Sequence, residues 1–274
     1  MRQPRILMCP PDHYGIEYEI NPWMSRSRGS DHDRAAGQWR ALFEIIRGLK
    51  VQVEQLSPRA GLPDLVFTAN AGLIFRDRFF SARFRHPERA RESPVFDEWF
   101  AGQGFQVEHL PDELYHEGAG DALFCGAALV AGYRIRSAVR AHHWLADRIG
   151  VQVLPVELVN PYYYHLDTCF CPLAPGQAIW YPEAFDTYGR KVIESSVSKL
   201  IAVADNEAQR FGCNAVVIGK TVVTNTGCPR LADALGERGY KPIATPLDEF
   251  LKAGGSAKCL TLRLDGEDAA SWAE

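Results

Sequence analysis

The feature that most restricts the fold of this 274-residue chain is a spacing. Apolar, strand-like runs that end in a polar cluster recur: Asp64-Leu-Val-Phe-Thr-Ala-Asn70, Tyr115-His-Glu117-Gly-Ala-Gly-Asp121 and Tyr162-Tyr-Tyr-His165-Leu-Asp167. Glu19-Ile20-Asn21-Pro22 opens the series, and Gly254-Gly-Ser-Ala-Lys-Cys259-Leu260 closes it. Asn21 to Asn70 is 49 residues, Asn70 to Glu117 is 47, Glu117 to His165 is 48, and His165 to Cys259 is 94, about two such steps. A unit of that length is one supersecondary motif, which must stack on neighbours to bury its apolar face. Five of them imply a propeller-like, pseudo-symmetric array.

Between the landmarks the pattern is mixed. Residues 31–49 place Ala35, Trp39, Leu42, Phe43, Ile46 and Leu49 at helical spacing, with Ser30 or Asp31 as N-cap. A second helix is expected to start at Ser137, turn Leu145 and Ile149 inward and stop at Gly150. A third is expected between Pro229 and Gly239. Residues 51–56 and 215–224 are β-rich, the latter a hairpin turning near Gly219-Lys220. The expected fold class is α/β with several small sheets. A doubly wound sheet fits less well, because no Gly-rich phosphate loop follows the first strand.

Composition narrows the functional classes. The chain is 46% hydrophobic and 23% charged, as in ordinary globular proteins, and no linker divides it, so a single domain over 1–274 is expected. A net charge of -4, with one basic cluster at Arg83, Arg85, Arg89 and Arg91, gives no footprint for nucleic acid. No apolar run is long enough to cross a membrane or to act as a signal peptide. Seven irregularly spaced cysteines suit reduced thiols in the cytoplasm. The sequence leaves the oligomeric state open.

Cys125, Cys169 and Cys171 read as small core residues. Cys259 differs in following a Gly-Gly-Ser loop and preceding the apolar run Leu260–Leu264, a junction at which a thiol can be exposed and backbone N–H groups can stabilise its thiolate. A buried strand cysteine remains the competing interpretation. Zinc is disfavoured, since no C-x-x-C or H-x-x-x-H pair is present. His165 and Asp167, two apart on an expected strand, would face one ligand, and the small residues of Glu117-Gly-Ala-Gly-Asp121 would let one approach two carboxylates. Cysteine, histidine and carboxylates together suit nucleophilic attack on a planar cation.

Phe67-Thr-Ala-Asn70, Glu117-Gly-Ala-Gly-Asp121, His165-Leu-Asp-Thr168 and Gly-Gly-Ser-Ala-Lys-Cys259 resemble, in order, the motifs of the guanidino-group-modifying superfamily, which includes arginine deiminases, dimethylarginine dimethylaminohydrolases and amidinotransferases. The resemblance implies a five-bladed α/β propeller with pseudo-fivefold symmetry, the pentein fold. It implies Cys259 as nucleophile, His165 as general acid/base, and Glu117 and Asp167 as carboxylates gripping the guanidinium, with Asp121 also at the substrate. Arg89 and Arg136, which follow Asn70 and Glu117 at the same interval, would clamp the substrate carboxylate, with Arg85 and Arg134 as the substitutes if the register differs. Asn70 stands where deiminases carry Asp. That Asn and the segment Asn21-Pro-Trp-Met24 are similar to those of arginine dihydrolases, so Asn21 is placed at the substrate. The implied reaction converts arginine to ornithine, carbon dioxide and two ammonia, with no cofactor or metal. Arginine deiminase or dimethylarginine dimethylaminohydrolase activity is the alternative. A non-catalytic propeller that only binds a ligand is disfavoured, because such relatives generally lack the Cys and His.

Overall fold

A computed structural model describes residues 3–273. It contains five three-stranded sheets built on one plan. In four of them the inner strand pairs antiparallel with the middle strand through a two-residue hairpin. The middle strand then pairs parallel with the outer one after a helix, since a parallel return needs a crossover. Inner, middle and outer strands are Gly72–Phe75, Arg78–Ser81 and Gln106–Glu108; Ala122–Cys125, Ala128–Tyr133 and Gln152–Glu157; Phe170–Ala174, Gln177–Trp180 and Lys199–Ala202; and Val216–Ile218, Thr221–Asn225 and Lys241–Thr245. The remaining sheet joins the two ends of the chain. Arg5–Met8 runs parallel to Gln52–Gln55 and antiparallel to Leu262–Arg263. The repeat legible in the sequence is therefore a β-β-α-β unit, and the ring closes through a unit shared between both ends.

The connecting helices follow from their side-chain patterns. In His32–Gly48 the Asp31 carboxylate accepts the Arg34 N–H at 3.0 Å, relieving an unpaired donor of the first turn. Ala35, Trp39, Leu42 and Ile46 are buried, while Phe43 and Leu49 are only half-buried at the edge of that stripe. Val139–Ile149 buries Leu145 and Ile149 and ends at Gly150, whose φ of 68° is the left-handed conformation glycine adopts without penalty. Ser137 does not cap it. Its hydroxyl instead donates to Asp121 at 2.6 Å and accepts the Glu117 N–H at 3.0 Å. Pro229–Glu237 runs as expected, up to Gly239.

One expectation needs correction. The polar clusters do not end strands. Pro63–Val66, Thr68–Ala71, Gly118–Gly120 and Leu166–Thr168 are single 3-10 turns that lead into the inner strands. Such turns are tight and short, and several chain segments converge here with little room. At Gly118, with φ of 64°, an added Cβ would come within 2.7 Å of the Gly72 backbone. His165 precedes the turn Leu166–Thr168 and Asp167 lies within it, so their placement comes from the turn and not from strand alternation.

Candidate active site

Asn70, Glu117, His165 and Cys259 each lie in the segment, two to five residues long, that leads into the inner strand of a different unit. Cys259 lies in a turn that precedes the short strand Leu262–Arg263, and the thiol is buried instead of exposed. Its Sγ donates to Asp167 Oδ2 at 3.3 Å and accepts from Asn214 Nδ2 at 3.1 Å. The Cys259 N–H donates to Asn214 Oδ1 at 3.1 Å. Burial, followed by the neighbouring Asp167, holds the thiol well above the ordinary cysteine range, against the Ser256 backbone and the Asn214 amide. Burial also pushes Asp167 up to about 7, opposed by its hydrogen bond with Cys259 and by Lys258. Its second oxygen, Oδ1, is buried without a hydrogen-bond partner among the described residues.

Thiol and carboxylate are both held back by the same cause, the cost of burying negative charge.

His165 and Glu117 form a second buried pair, with Nε2 and Oε2 2.8 Å apart. Glu117 is ionised, so the Nε2 atom carries the proton. Burial pushes His165 down to about 4, against the Glu117 hydrogen bond, and leaves the imidazole neutral near neutral pH. Burial works against Glu117 ionising too, but Arg136 and the His165 hydrogen bond outweigh it and hold the carboxyl well below its usual range. Glu117 Oε2 also accepts from Arg136 Nη1 at 2.9 Å, while Oε1 accepts the Arg85 N–H at 3.1 Å. These three partners commit both Glu117 oxygens to the protein. The geometry gives Glu117 to His165 and Arg136, and Glu117, His165 and Asp167 all lie behind the residues that line the cavity at Cys259.

Cys259 borders a nearly closed cavity of about 10 Å³, roughly room for one water molecule. Asn21, Asn70, Arg89 and Arg136 line it. Asn21 ties the N-terminal segment to the Gly254 loop, with Nδ2 donating to Ala253 O at 3.0 Å and Oδ1 accepting the Trp23 N–H at 2.9 Å. At Gly254, with φ of 84°, a Cβ would strike the Tyr164 hydroxyl at 2.6 Å. Asn70 Oδ1 accepts from Arg89 Nη1 at 2.9 Å. The paired edge of Arg89, Nε and Nη2, sits on Glu92 at 2.8 and 2.7 Å, so the fork expected to face a substrate carboxylate is occupied by the protein. Arg136 packs over the Tyr164 ring, and its Nε is unpartnered among the described residues.

Other expected residues lie elsewhere. Asp121 does not line the cavity. Its oxygens accept from Ser137 Oγ and, at 3.1 Å, from the Leu166 N–H, because the turn after His165 needs that anchor. Arg134 points outward to Glu157 at 2.6 Å, and Arg85 stacks on Tyr115, so Arg89 and Arg136 hold the cavity register. Cys169 and Cys171 are buried with their thiols on backbone carbonyls, and Cys125 is only half-buried at a hairpin. Two residues went unassigned from the sequence. Asp64 lines the cavity and has an unpartnered Oδ1. Asn214 holds the sulfur, and it was findable: the midpoint of the interval from His165 to Cys259 falls just before it. A larger open groove of about 830 Å³, along Arg5, Arg76, Asp77, Gln103 and Trp272, is lined by neither cysteine nor histidine.

A family model described as N,N dimethylarginine dimethylhydrolase, eukaryotic, matches residues 17–264. The chain belongs to this dimethylarginine dimethylaminohydrolase family. It is 48% identical over 265 residues to the bifunctional arginine dihydrolase/ornithine cyclodeaminase AgrE of Nostoc sp. strain PCC 7120, a match that takes in 95% of this chain and 38% of AgrE. It is 38% identical over 263 residues to the N(G),N(G)-dimethylarginine dimethylaminohydrolase of Mycobacterium tuberculosis, covering 96% of this chain and 86% of that one. Among solved structures, the product-bound N-terminal domain of the arginine dihydrolase ArgZ matches with a TM-score of 0.94 and 45% identity, over 97% of this chain and 99% of that domain. The family's five-sheet propeller is the fold of this chain. The chain spans under two fifths of the length of the bifunctional relatives.

Proposed function

We propose that this chain is a hydrolase of L-arginine that works through a covalent Cys259 adduct and yields ornithine, carbon dioxide and two ammonia. The observation that carries the proposal is the buried Cys259–Asp167 contact, with one carboxylate oxygen left unpartnered for a cation. The guanidinium lies against Asp167 and lowers the thiol's hold on its proton. Sulfur attacks the guanidinium carbon while one proton passes through neutral His165 to the departing nitrogen, which leaves as ammonia. Water, deprotonated by the same imidazole, then replaces sulfur on carbon and gives a ureido group. A second attack expels the second ammonia. The carbamate released by a second water loses carbon dioxide and leaves the amine. Two waters are consumed, and no step requires an oxidant or a metal.

The dihydrolase reading is supported by the 48% identity to AgrE, the 46% identity to Synechocystis ArgZ, and Asn70 in the lining of the cavity at Cys259. A single catalytic domain over residues 1–274 and a cytoplasmic location, suggested by seven free cysteines, complete the proposal. The second reading, hydrolysis of methylated arginine, is favoured by the family model and by the mycobacterial relative. Incubation of the purified protein with arginine separates them. Ornithine with two ammonia per arginine is expected. Citrulline with one ammonia would overturn the dihydrolase reading, and dimethylamine released only from methylated arginine would establish the second.

A further inference from the structure

Asn214 lies in the segment that leads into the inner strand of the fifth unit, two residues before Val216–Ile218, as Asn70 lies two before Gly72–Phe75. Its side chain is fully buried. The amide orientation is dictated by its partners. Oδ1 accepts the Cys259 N–H at 3.1 Å, so Nδ2 must face the Asp167 carbonyl at 3.0 Å and the Cys259 sulfur at 3.1 Å. A flipped amide would set oxygen against oxygen at Asp167 and an N–H against the Cys259 N–H. Every hydrogen-bonding group of the amide is therefore used, and one N–H is permanently aimed at Sγ.

We propose that Asn214 is a positioning residue of this site, which fixes the Cys259 sulfur in place and stabilises its thiolate through a constant N–H···S hydrogen bond. The proposal rests on Cys259 as the reading above uses it, namely as the nucleophile. A neutral thiol accepts a hydrogen bond weakly and a thiolate accepts strongly. The bond is therefore strongest when sulfur is charged, which is the state that attacks and the state released when an adduct breaks down. Asp167 pulls the other way, because it accepts the thiol proton's hydrogen bond and favours the neutral form. Asn214 and Asp167 bracket the sulfur with opposite effects. The side chain that opposes Asp167 is uncharged, so it needs no counter-ion in a dry site.

The test is the rate at which iodoacetamide alkylates Cys259 between pH 7 and 10 without substrate, read by mass spectrometry on the peptide that carries it. Asn214→Ala is expected to slow alkylation at a given pH about tenfold or more, the worth of a hydrogen bond to a charged group. Asn214→Asp, close in shape but lacking the donors, is expected to slow it further. A residue that only packs against the turn would predict the reverse, since loosening the turn exposes the sulfur. Unchanged or faster alkylation in folded variants overturns the proposal and leaves the identity of the substrate untouched. If the variants do not fold, the unaltered protein labelled with ¹⁵N-asparagine decides. The Asn214 side-chain amide protons should shift when Cys259 is alkylated, and no shift refutes the hydrogen bond. Failure of arginine turnover alone would count against the substrate reading and not against Asn214.

Discussion

Replacing Asp167 by Asn should separate two properties that usually move together, the reactivity of the free thiol and catalysis. Asp167 Oδ2 lies 3.3 Å from Cys259 Sγ. Two unit charges at that distance repel by about 5 kcal/mol at an effective dielectric constant near 20. Asp167 titrates at about 7, so above pH 8 nearly the full charge faces the sulfur. Removing it should lower the Cys259 pKa by one to three units, at about 1.4 kcal/mol each, and speed iodoacetamide alkylation at pH 8.5 by roughly 10- to 1,000-fold. Turnover should fall instead. The substrate cation loses its anchor at Oδ1, and loss of one partner from a buried ion pair costs about 3–5 kcal/mol, a fall in kcat/KM of roughly 10²- to 10³-fold or more. The assay is the ratio of the two rates in one preparation. Alkylation that slowed in parallel with turnover would refute the argument, because Asp167 could not then be the group that keeps the resting thiol neutral.

Three further outcomes follow from the same contacts. Glu117→Gln removes the charge that pairs with Arg136 and orients His165, so kcat should fall about 10²- to 10⁴-fold, the usual worth of a positioned acid/base group; an undiminished kcat would mean that His165 is oriented without it. Asn70→Asp places a carboxylate against Arg89 in the cavity at Cys259, so the ornithine-to-citrulline ratio should drop severalfold; an unaltered ratio would remove Asn70 from the choice of product. His165 and His142 are both pushed down to about 4 by burial. A base depressed in the folded state contributes stability that is full above its unfolded pKa of about 6.5 and is lost as pH falls toward 4. Each histidine is worth roughly 3 kcal/mol over that window, while Asp167 and Glu92, both raised to about 7, add stability as pH falls through the same window and offset much of the loss. The readout is therefore a difference: the urea midpoint of His142→Gln relative to the unaltered protein should rise as pH falls from 6.5 to 4.5. A difference that stays constant with pH would show that His142 does not contribute to the pH dependence.

The even spacing of the polar landmarks exposed the fold because every unit buries its faces against two neighbours, which keeps unit length nearly constant while composition drifts. The local form of the clusters was hidden. An apolar run such as Leu65-Val-Phe67 reads as strand by composition, yet it must turn sharply to bring Asn70 to the others, and propensity carries no record of that crowding. Polar side chains were easy to place in a common site and hard to assign within it. Glu117 and Asp167 look alike in sequence. What separates them is that Arg85, Arg136 and His165 converge on one from distant segments while Oδ1 of the other is left without a partner. Asn214 was passed over for a different reason, since an amide beside Ala-Val-Val advertises no chemistry until its register against Cys259 is seen.

That register also explains how a nucleophile can be both buried and usable. Cys259 sits in the unit that closes the ring, whose inner strand, Leu262–Arg263, is only two residues long and pairs with Arg5–Met8. So short a strand contributes few ladder bonds, and something else must hold the turn ahead of it. Asn214 does so from the neighbouring unit through the Cys259 N–H, and Ala69 from the opposite side through a 3.2 Å bond to the Cys259 carbonyl. The sulfur is thereby fixed by two flanking units and not by its own sheet. Its position then depends on the ring being closed, which couples the reactivity of one atom to the assembly of all five units. Covalent chemistry benefits from that coupling, because an attacking atom misplaced by about 1 Å can lose about 10²-fold in rate. The same placement leaves the sulfur between Asp167, which favours the thiol, and Asn214, which favours the thiolate.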